Sequence, residues 1–209
     1  MTVLMTFDKQ QAIQAGAGAG ITETGAYVGT LSAHSFTKAS NAAGVEFTLD
    51  SAQGRAQYLS LYHTKKDGSA NPMGANMIQA IMGLLKISQI TGVDNGKKDY
   101  SGGTVLDIPE FEGKQIGFIL QKELTTKGDG SDGYSFDIKM VFSAKTRQTL
   151  LEAMNGKQAE TVDKILSTLQ DKDSRRQQQQ GGYQQQQSNL QNNAASTSIS
   201  DDNWGDVPY

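Results

Sequence analysis

The chain has 209 residues, with 19 basic and 22 acidic side chains and a formal net charge of −3. It contains no cysteine and only two histidines, which excludes disulfides, thiolate metal sites and cysteine nucleophiles and leaves little room for a histidine-rich metal site. No apolar run approaches the roughly 18 residues that a membrane span needs, and the first residues lack the basic stretch of a secretory signal peptide, so we expect a soluble cytoplasmic protein.

Three short segments in the first third of the chain alternate apolar and polar residues. They cover residues 27–34, 45–50 and 58–62, and the connections between them contain glycine, asparagine and aspartate. A period of two residues is typical of half-buried strands, and these connecting residues are typical of tight turns. The segments therefore predict a meander of three strands.

Residues 73–87 follow a different period. Apolar side chains recur there every three or four residues and surround much of the helix circumference. This pattern predicts a helix buried in a core rather than one lying on the surface. Residues 92–103 are rich in glycine and in charged side chains, and we interpret them as a loop.

Two more strands are predicted at 116–121 and 134–142, followed by helices at 146–154 and 159–170. Three strands, one helix and then a hairpin is the order of the five-stranded OB barrel, whose helix caps the barrel. The fold expected for residues 1–170 is therefore mainly β: a five-stranded OB-type barrel with a capping helix and C-terminal helices.

The composition changes abruptly near residue 171. Residues 171–200 are rich in glutamine, asparagine and serine and contain too few large apolar side chains to offset the entropy lost on ordering, so we expect a disordered linker. Residues 177–209 contain three aspartates and no lysine or arginine, so the whole net charge lies there. The chain ends in an acidic aromatic tip over 201–209, which includes Asp201, Asp202, Trp204, Asp206, Pro208 and Tyr209.

This tip resembles the C-terminal tip of bacterial single-stranded DNA-binding proteins, which is an acidic run ending in an apolar residue, proline and phenylalanine. Tyr209 stands here in place of the phenylalanine, and Asn203-Trp204-Gly205 interrupts the acids. The segments Tyr27-Val-Gly-Thr-Leu and Glu46-Phe-Thr-Leu are similar to the divergent single-stranded DNA-binding proteins of bacteriophages. The resemblance implies binding and protection of single-stranded DNA, without sequence preference, during replication, recombination or repair.

The chemistry of the tip suits a protein partner with a small apolar pocket rimmed by arginine or lysine. The Tyr209 ring would supply buried area, and the carboxylates would supply steering and register. A flexible linker raises the effective concentration of such a partner near the body. We therefore expect the tip to recruit replication, recombination or repair proteins; the alternative is an acidic end that only keeps the protein soluble.

The third predicted strand carries two tyrosines on one face. If Leu59 and Leu61 fill the barrel, then Tyr58 and Tyr62 stand outside it, where a base stacked on a ring contributes about 1–3 kcal/mol. The alternative is that these rings pack under the C-terminal helices or in a subunit interface. With the neighbouring aromatic residue and cations, the predicted DNA-binding set is Phe36, Lys38, Arg55, Tyr58, Tyr62, Lys65, Lys66 and Lys127.

No catalytic constellation stands out. His34 and His63 have no acidic neighbour at metal-ligand spacing in the sequence, and the glycine-rich segment at 16–20 lacks the lysine of a phosphate-binding loop. We therefore expect no enzyme activity, metal or cofactor. Two alternative functions remain: a single-strand annealing or recombination mediator, and a structural adaptor that binds no nucleic acid. Stacking alone does not distinguish DNA from RNA, so an RNA-binding role is also open.

Overall fold

A computed structural model describes residue 6, residues 20–98 and residues 102–175. The chain divides into two units, 1–176 and 177–209, and all described residues lie in the first. The tip at 201–209 and the predicted linker beyond residue 175 therefore lie outside the described residues.

The described part of the chain consists mainly of antiparallel strands, which confirms the predicted mainly β class. Its elements, in chain order, are β1 (Gly25–Thr37), β2 (Ala43–Ser51), β3 (Gly54–Thr64), α1 (Pro72–Leu85), β4 (Val93–Lys98), β5 (Thr104–Asp107), a 3-10 turn (Pro109–Phe111), β6 (Gln115–Thr126), β7 (Asp132–Phe142), α2 (Leu150–Met154), α3 (Thr161–Leu166) and β8 (Lys172–Asp173).

The long strand β1 organises the sheet. One of its edges pairs with β2, and β2 pairs in turn with β3. Its other edge is shared, because residues 25–30 pair with β6 whereas residues 34–37 pair with β5. Hairpin partners extend this side of the sheet, with β4 beside β5 and β7 beside β6, and the short β8 runs parallel to β6.

The expected closed barrel is wrong. Within the described ranges no backbone pairing joins β3 to β7, so the sheet stays open between these two strands. The outer edge of β3 already has other partners at both ends: the amide of Ile21 donates to the Arg55 carbonyl, and the amide of Asn71 donates to the His63 carbonyl. Since these segments occupy hydrogen-bonding groups that a closing strand would need, β7 does not add to this edge.

The main core lies between the sheet and α1. Ile78, Ile81 and Met82 of this helix are buried against Phe47 and Phe118 of the sheet, as the apolar circumference of residues 73–87 predicted. The helix ends at Leu85, and the capping residue Lys86 adopts a left-handed backbone conformation with its amide directed back to the preceding turn. None of the helices in the described ranges is long and apolar enough to cross a membrane.

Two regions differ from the sequence-based prediction. Residues 92–103, expected to form a loop, contain the exposed strand β4 and lead into β5, in which Val105 is buried. The described chain also continues past residue 170 as β8, where the linker was expected to begin, and Arg175 there forms ion pairs with Asp132 and Asp173.

A single buried carboxylate holds the C-terminal helices together. Glu152 accepts hydrogen bonds from the backbone and hydroxyl groups of Thr149 and Thr161 and from the backbone amide of Glu160. Burial alone would raise the pKa of Glu152, but these bonds outweigh that effect and hold the pKa well below its usual value. The ionised carboxylate therefore links the N-terminal ends of α2 and α3 through hydrogen bonds.

Candidate nucleic-acid interface

A groove of about 560 Å³ lies on the outer face of β1, β2 and β3 and is bordered by β4 and β5. It contains four of the eight residues predicted to bind DNA, namely Phe36, Lys38, Tyr58 and Tyr62. The other side chains that line it are His34, Glu46, Ser60, Lys97, Lys98, Val105 and Asp107.

An apolar row crosses the floor of this groove. Phe36 on β1 pairs in register with Val105 on one side and with Gly44 on the other, and Gly44 pairs with Tyr62. The rings of Phe36 and Tyr62 meet edge to face, with centroids 5.2 Å apart and an interplanar angle of 80°. A Cβ atom on Gly44 would lie 2.5 Å from the Leu61 carbonyl oxygen and 2.9 Å from the Phe36 ring, so a side chain fits at this position only if its neighbours shift.

A polar row runs beside the apolar one. Asp107, His34, Glu46 and Ser60 stand in register on four adjacent strands. The Ser60 hydroxyl donates to one oxygen of Glu46 at 3.0 Å, and His34 Nε2 lies 3.4 Å from the other. The hydrogen bond with His34 lowers the pKa of Glu46, burial opposes it, and the Ser60 bond lowers it further. The carboxylate is therefore negatively charged at neutral pH.

A β-bulge presents the first tyrosine. Leu49 pairs with Ala56 but Phe47 pairs with Leu59, so the extra residue of β3 falls at Gln57 and Tyr58. Tyr58 has a left-handed backbone (φ 61°) and its side chain is 64 % exposed. This conformation costs a non-glycine residue roughly 1–2 kcal/mol, and bulges of this kind often direct a side chain at a functional site.

Cations border the groove. Lys38 follows β1, and its Nζ lies 5.2 Å from the Tyr62 ring centroid and 5.7 Å from that of Phe36. Lys97 and Lys98 are exposed near the end of β4. Charged side chains at the border and apolar rings on the floor are the combination that non-specific single-strand binding uses.

The remaining predicted DNA-binding residues lie elsewhere. Arg55 sits at the opposite end of β3 and forms an ion pair with Asp50 at 3.3 Å. Lys65 and Lys66 are exposed in the turn after β3. Lys127 is in the turn between β6 and β7, which the register places beyond the N-terminal end of β1, whereas the groove lies at the other end. None of these four side chains lines the groove.

The lysines of β4 and the polar row were not predicted from the sequence. Asn95-Gly96 lies inside β4, where the pairing with β5 is irregular between Asp94 and Lys98 and Gly96 has a positive φ of 74°, and the glycine and charges of this segment favoured a loop. His34 does have an acidic neighbour, Glu46, because strand register brings together residues that are distant in sequence. Among the described residues no cluster of three or more histidine, cysteine or acidic side chains could hold a metal ion.

A larger cavity of about 710 Å³ lies beside β7 and α2. Apolar side chains such as Met140, Leu150 and Leu151 form much of its wall, and it contains none of the residues predicted to bind DNA.

Comparison of the chain with protein-family models, with curated proteins and with solved structures found no match. Function is therefore inferred from the chemistry of the groove on β1–β3.

Proposed function

We propose that this protein binds single-stranded DNA mainly by stacking, with little sequence preference, and protects it during replication, recombination or repair, as phage-type single-stranded DNA-binding proteins do. The observation that carries the proposal is the exposed Tyr58 ring in the same groove as the half-buried Tyr62 ring, which packs against the buried Phe36. Each base stacked on such a ring contributes about 1–3 kcal/mol, whatever its identity.

The border of the groove supplies the second contribution. In this proposal Lys38, Lys97 and Lys98, which line the groove, would neutralise phosphates while the bases lie on the aromatic floor. Duplex DNA fits this arrangement poorly, because its bases are stacked on one another and offer no open face to Tyr58. A protein with this preference would act where unpaired strands occur, in the cytoplasm of the host cell if it is phage-encoded.

The strand order is consistent with this proposal. The pairing order β3–β2–β1–β6–β7, with α1 following β3, matches that of an OB fold. The pairing between β3 and β7 that would close the barrel is missing from the described part of the chain. OB folds bind single strands across the second and third strands and the adjoining loops. In this chain β2, β3 and the loop that carries Lys38 border the groove, whereas the β6–β7 turn, which corresponds to the OB loop between strands four and five, does not. We propose that the groove serves as an open variant of that surface.

The tip at 201–209 has a separate role in this proposal. It would recruit a replication, recombination or repair protein, with Trp204 and Tyr209 as apolar anchors and Asp201, Asp202 and Asp206 as charges beside them. Deleting residues 201–209 should abolish recruitment of such a partner. Affinity for single-stranded DNA should stay the same or rise, because an anionic segment competes with DNA for the cationic groove.

Fluorescence anisotropy at physiological salt tests the proposed binding. Labelled mixed-sequence oligonucleotides, single-stranded and duplex, are titrated with the wild-type chain and with a Tyr58→Ala/Tyr62→Ala variant. We expect tight binding of the single strand only, and a large loss in the double variant. Tyr134→Ala is the matched control, because Tyr134 is 47 % exposed on β7 and does not line the groove.

Two results would point to other functions. An adaptor that binds no nucleic acid would retain neither oligonucleotide, and this outcome would refute the proposal. A protein that binds single strands and also accelerates the pairing of complementary strands would be an annealing mediator, which uses the same groove for a different reaction.

A further inference from the structure

The Glu46 carboxylate occupies the middle of the groove floor. Its strand position places it between His34 on β1 and Ser60 on β3, and it contacts both. Ser60 itself lies between Tyr58 and Tyr62, and all three line the groove. A base that enters between the two tyrosine rings would therefore bring its edge close to this carboxylate.

The charges of the groove determine which part of a nucleotide meets the floor. Glu46 is anionic at neutral pH, and Asp107 adds a second carboxylate at the far end of the polar row. Both repel phosphates, whereas the lysines stand at the border of the groove. A bound strand would thus turn its phosphates toward the lysines and its bases toward the polar row.

A carboxylate accepts hydrogen bonds and donates none. Cytosine, adenine and guanine each carry an exocyclic amino group that can donate to it, and pairing of glutamate with the cytosine amino group is a known mode of base recognition. Thymine and uracil present carbonyl oxygens at the corresponding edge. Their one ring N–H lies between two such oxygens, which a carboxylate repels.

We propose that the polar row centred on Glu46 is a base-edge recognition site, which makes the groove favour cytosine, adenine or guanine over thymine and uracil. This inference rests on the proposed single-strand binding and gives it a chemical preference. Stacking on the tyrosines supplies affinity for any base, and Glu46 distinguishes bases that have an amino group from those that lack one.

Oligo-dC and oligo-dU test this preference, because their bases are similar in size and differ chiefly in the amino and carbonyl groups at position 4. Equal-length labelled strands are titrated at pH 7.5 with the full-length protein, and oligo-dT is included to measure any effect of the methyl group. We expect oligo-dC to bind about tenfold more tightly than oligo-dU, which corresponds to one hydrogen bond to a charged group. Oligo-dT should behave like oligo-dU.

Glu46→Gln is the informative variant. The amide has nearly the shape of the carboxylate but can both donate and accept, so the ratio of the two affinities should fall to about one. Glu23→Gln is the control, because this exposed carboxylate does not line the groove, and the ratio should stay as in the wild type.

The possible failures are distinguishable. Equal affinity of the wild type for oligo-dC and oligo-dU, with both weakened by Tyr58→Ala, would overturn base-edge recognition and leave single-strand binding intact. A preference that persists in Glu46→Gln would overturn the assignment to Glu46. Failure of the wild type to bind any strand would overturn the proposed function and this inference together. The wild-type ratio tests base-edge recognition even if the variant does not fold.

Discussion

Replacing Tyr58 by alanine separates binding from folding. The ring is 64 % exposed and sits on a bulge outside the core, so the free energy of unfolding should change by no more than about 0.5 kcal/mol. The loss of one stacked base, about 1–3 kcal/mol, corresponds to an increase in Kd of about 5- to 150-fold. Tyr58→Phe keeps the stacking surface and should bind nearly as the wild type does.

Tyr62→Ala should lower both the affinity for single-stranded DNA and the stability of the fold, unlike Tyr58→Ala, which should lower the affinity alone. Besides a stacking surface, Tyr62→Ala removes the edge-to-face contact with Phe36, which contributes about 0.5–1.5 kcal/mol to stability. Kd is measured by anisotropy with a mixed-sequence single strand, and stability by urea denaturation. A Tyr58→Ala variant that folds normally and binds within twofold of the wild type would refute the stacking role of this ring.

Three further predictions concern charge, packing and pH. Lys97→Ala/Lys98→Ala should reduce the slope of log affinity against log salt by about 1.4, which is about 0.7 for each phosphate that is no longer neutralised. Gly44→Ala places a Cβ 2.5 Å from the Leu61 carbonyl oxygen and 2.9 Å from the Phe36 ring and should lower the unfolding free energy by about 1–3 kcal/mol, as measured in urea. Glu152→Gln should lower stability at pH 7 by about 1–3 kcal/mol, and the difference from wild type should shrink as the pH falls.

The sign of the Glu152 prediction follows from its lowered pKa in the folded state. The carboxylate stabilises the fold above the pKa of the unfolded chain, about 4.3, and this contribution is lost as pH falls below that value. Urea midpoints of the wild type and Glu152→Gln at pH 7, 5 and 3 test this prediction, and a stability difference that widens toward pH 3 would contradict it.

For the lysine pair, Lys145→Ala is the control, since Lys145 is exposed outside the groove. An equal change in salt slope for Lys145→Ala would contradict the assignment of phosphate contacts to Lys97 and Lys98.

Local periodicity predicted most of the fold. Alternation in 45–50 and 58–62 reflects burial of one face of a strand, and the structure has strands there. The helical period in 73–87 reflects burial of most of a helix circumference, and the structure has a helix there. The β4–β5 hairpin escaped prediction because all six residues of β4 are exposed, so burial imposes no period on them. Barrel closure was predicted wrongly because the β3 edge is occupied in part by Ile21, whose contact with Arg55 is distant in sequence.

The residues of the candidate site likewise include some that local spacing predicts and some that only the strand register brings together. Tyr58 and Tyr62 could be placed on one face from their spacing alone, and both line the groove. The polar row could not be predicted, because His34, Glu46 and Ser60 meet only through the registers of β1, β2 and β3. Lys97 and Lys98 were missed together with the hairpin that carries them.

Photochemical cross-linking tests the central claim most directly. A mixed-sequence single strand containing 5-iododeoxycytidine is irradiated with the full-length protein, and the attached residue is identified by mass spectrometry of the peptides. Base contact with the groove predicts attachment at Tyr58 or Tyr62, suppressed by unlabelled single strand but not by duplex. Attachment confined to other parts of the chain, such as the cavity beside Leu151, or no attachment under conditions of saturated binding, would contradict it.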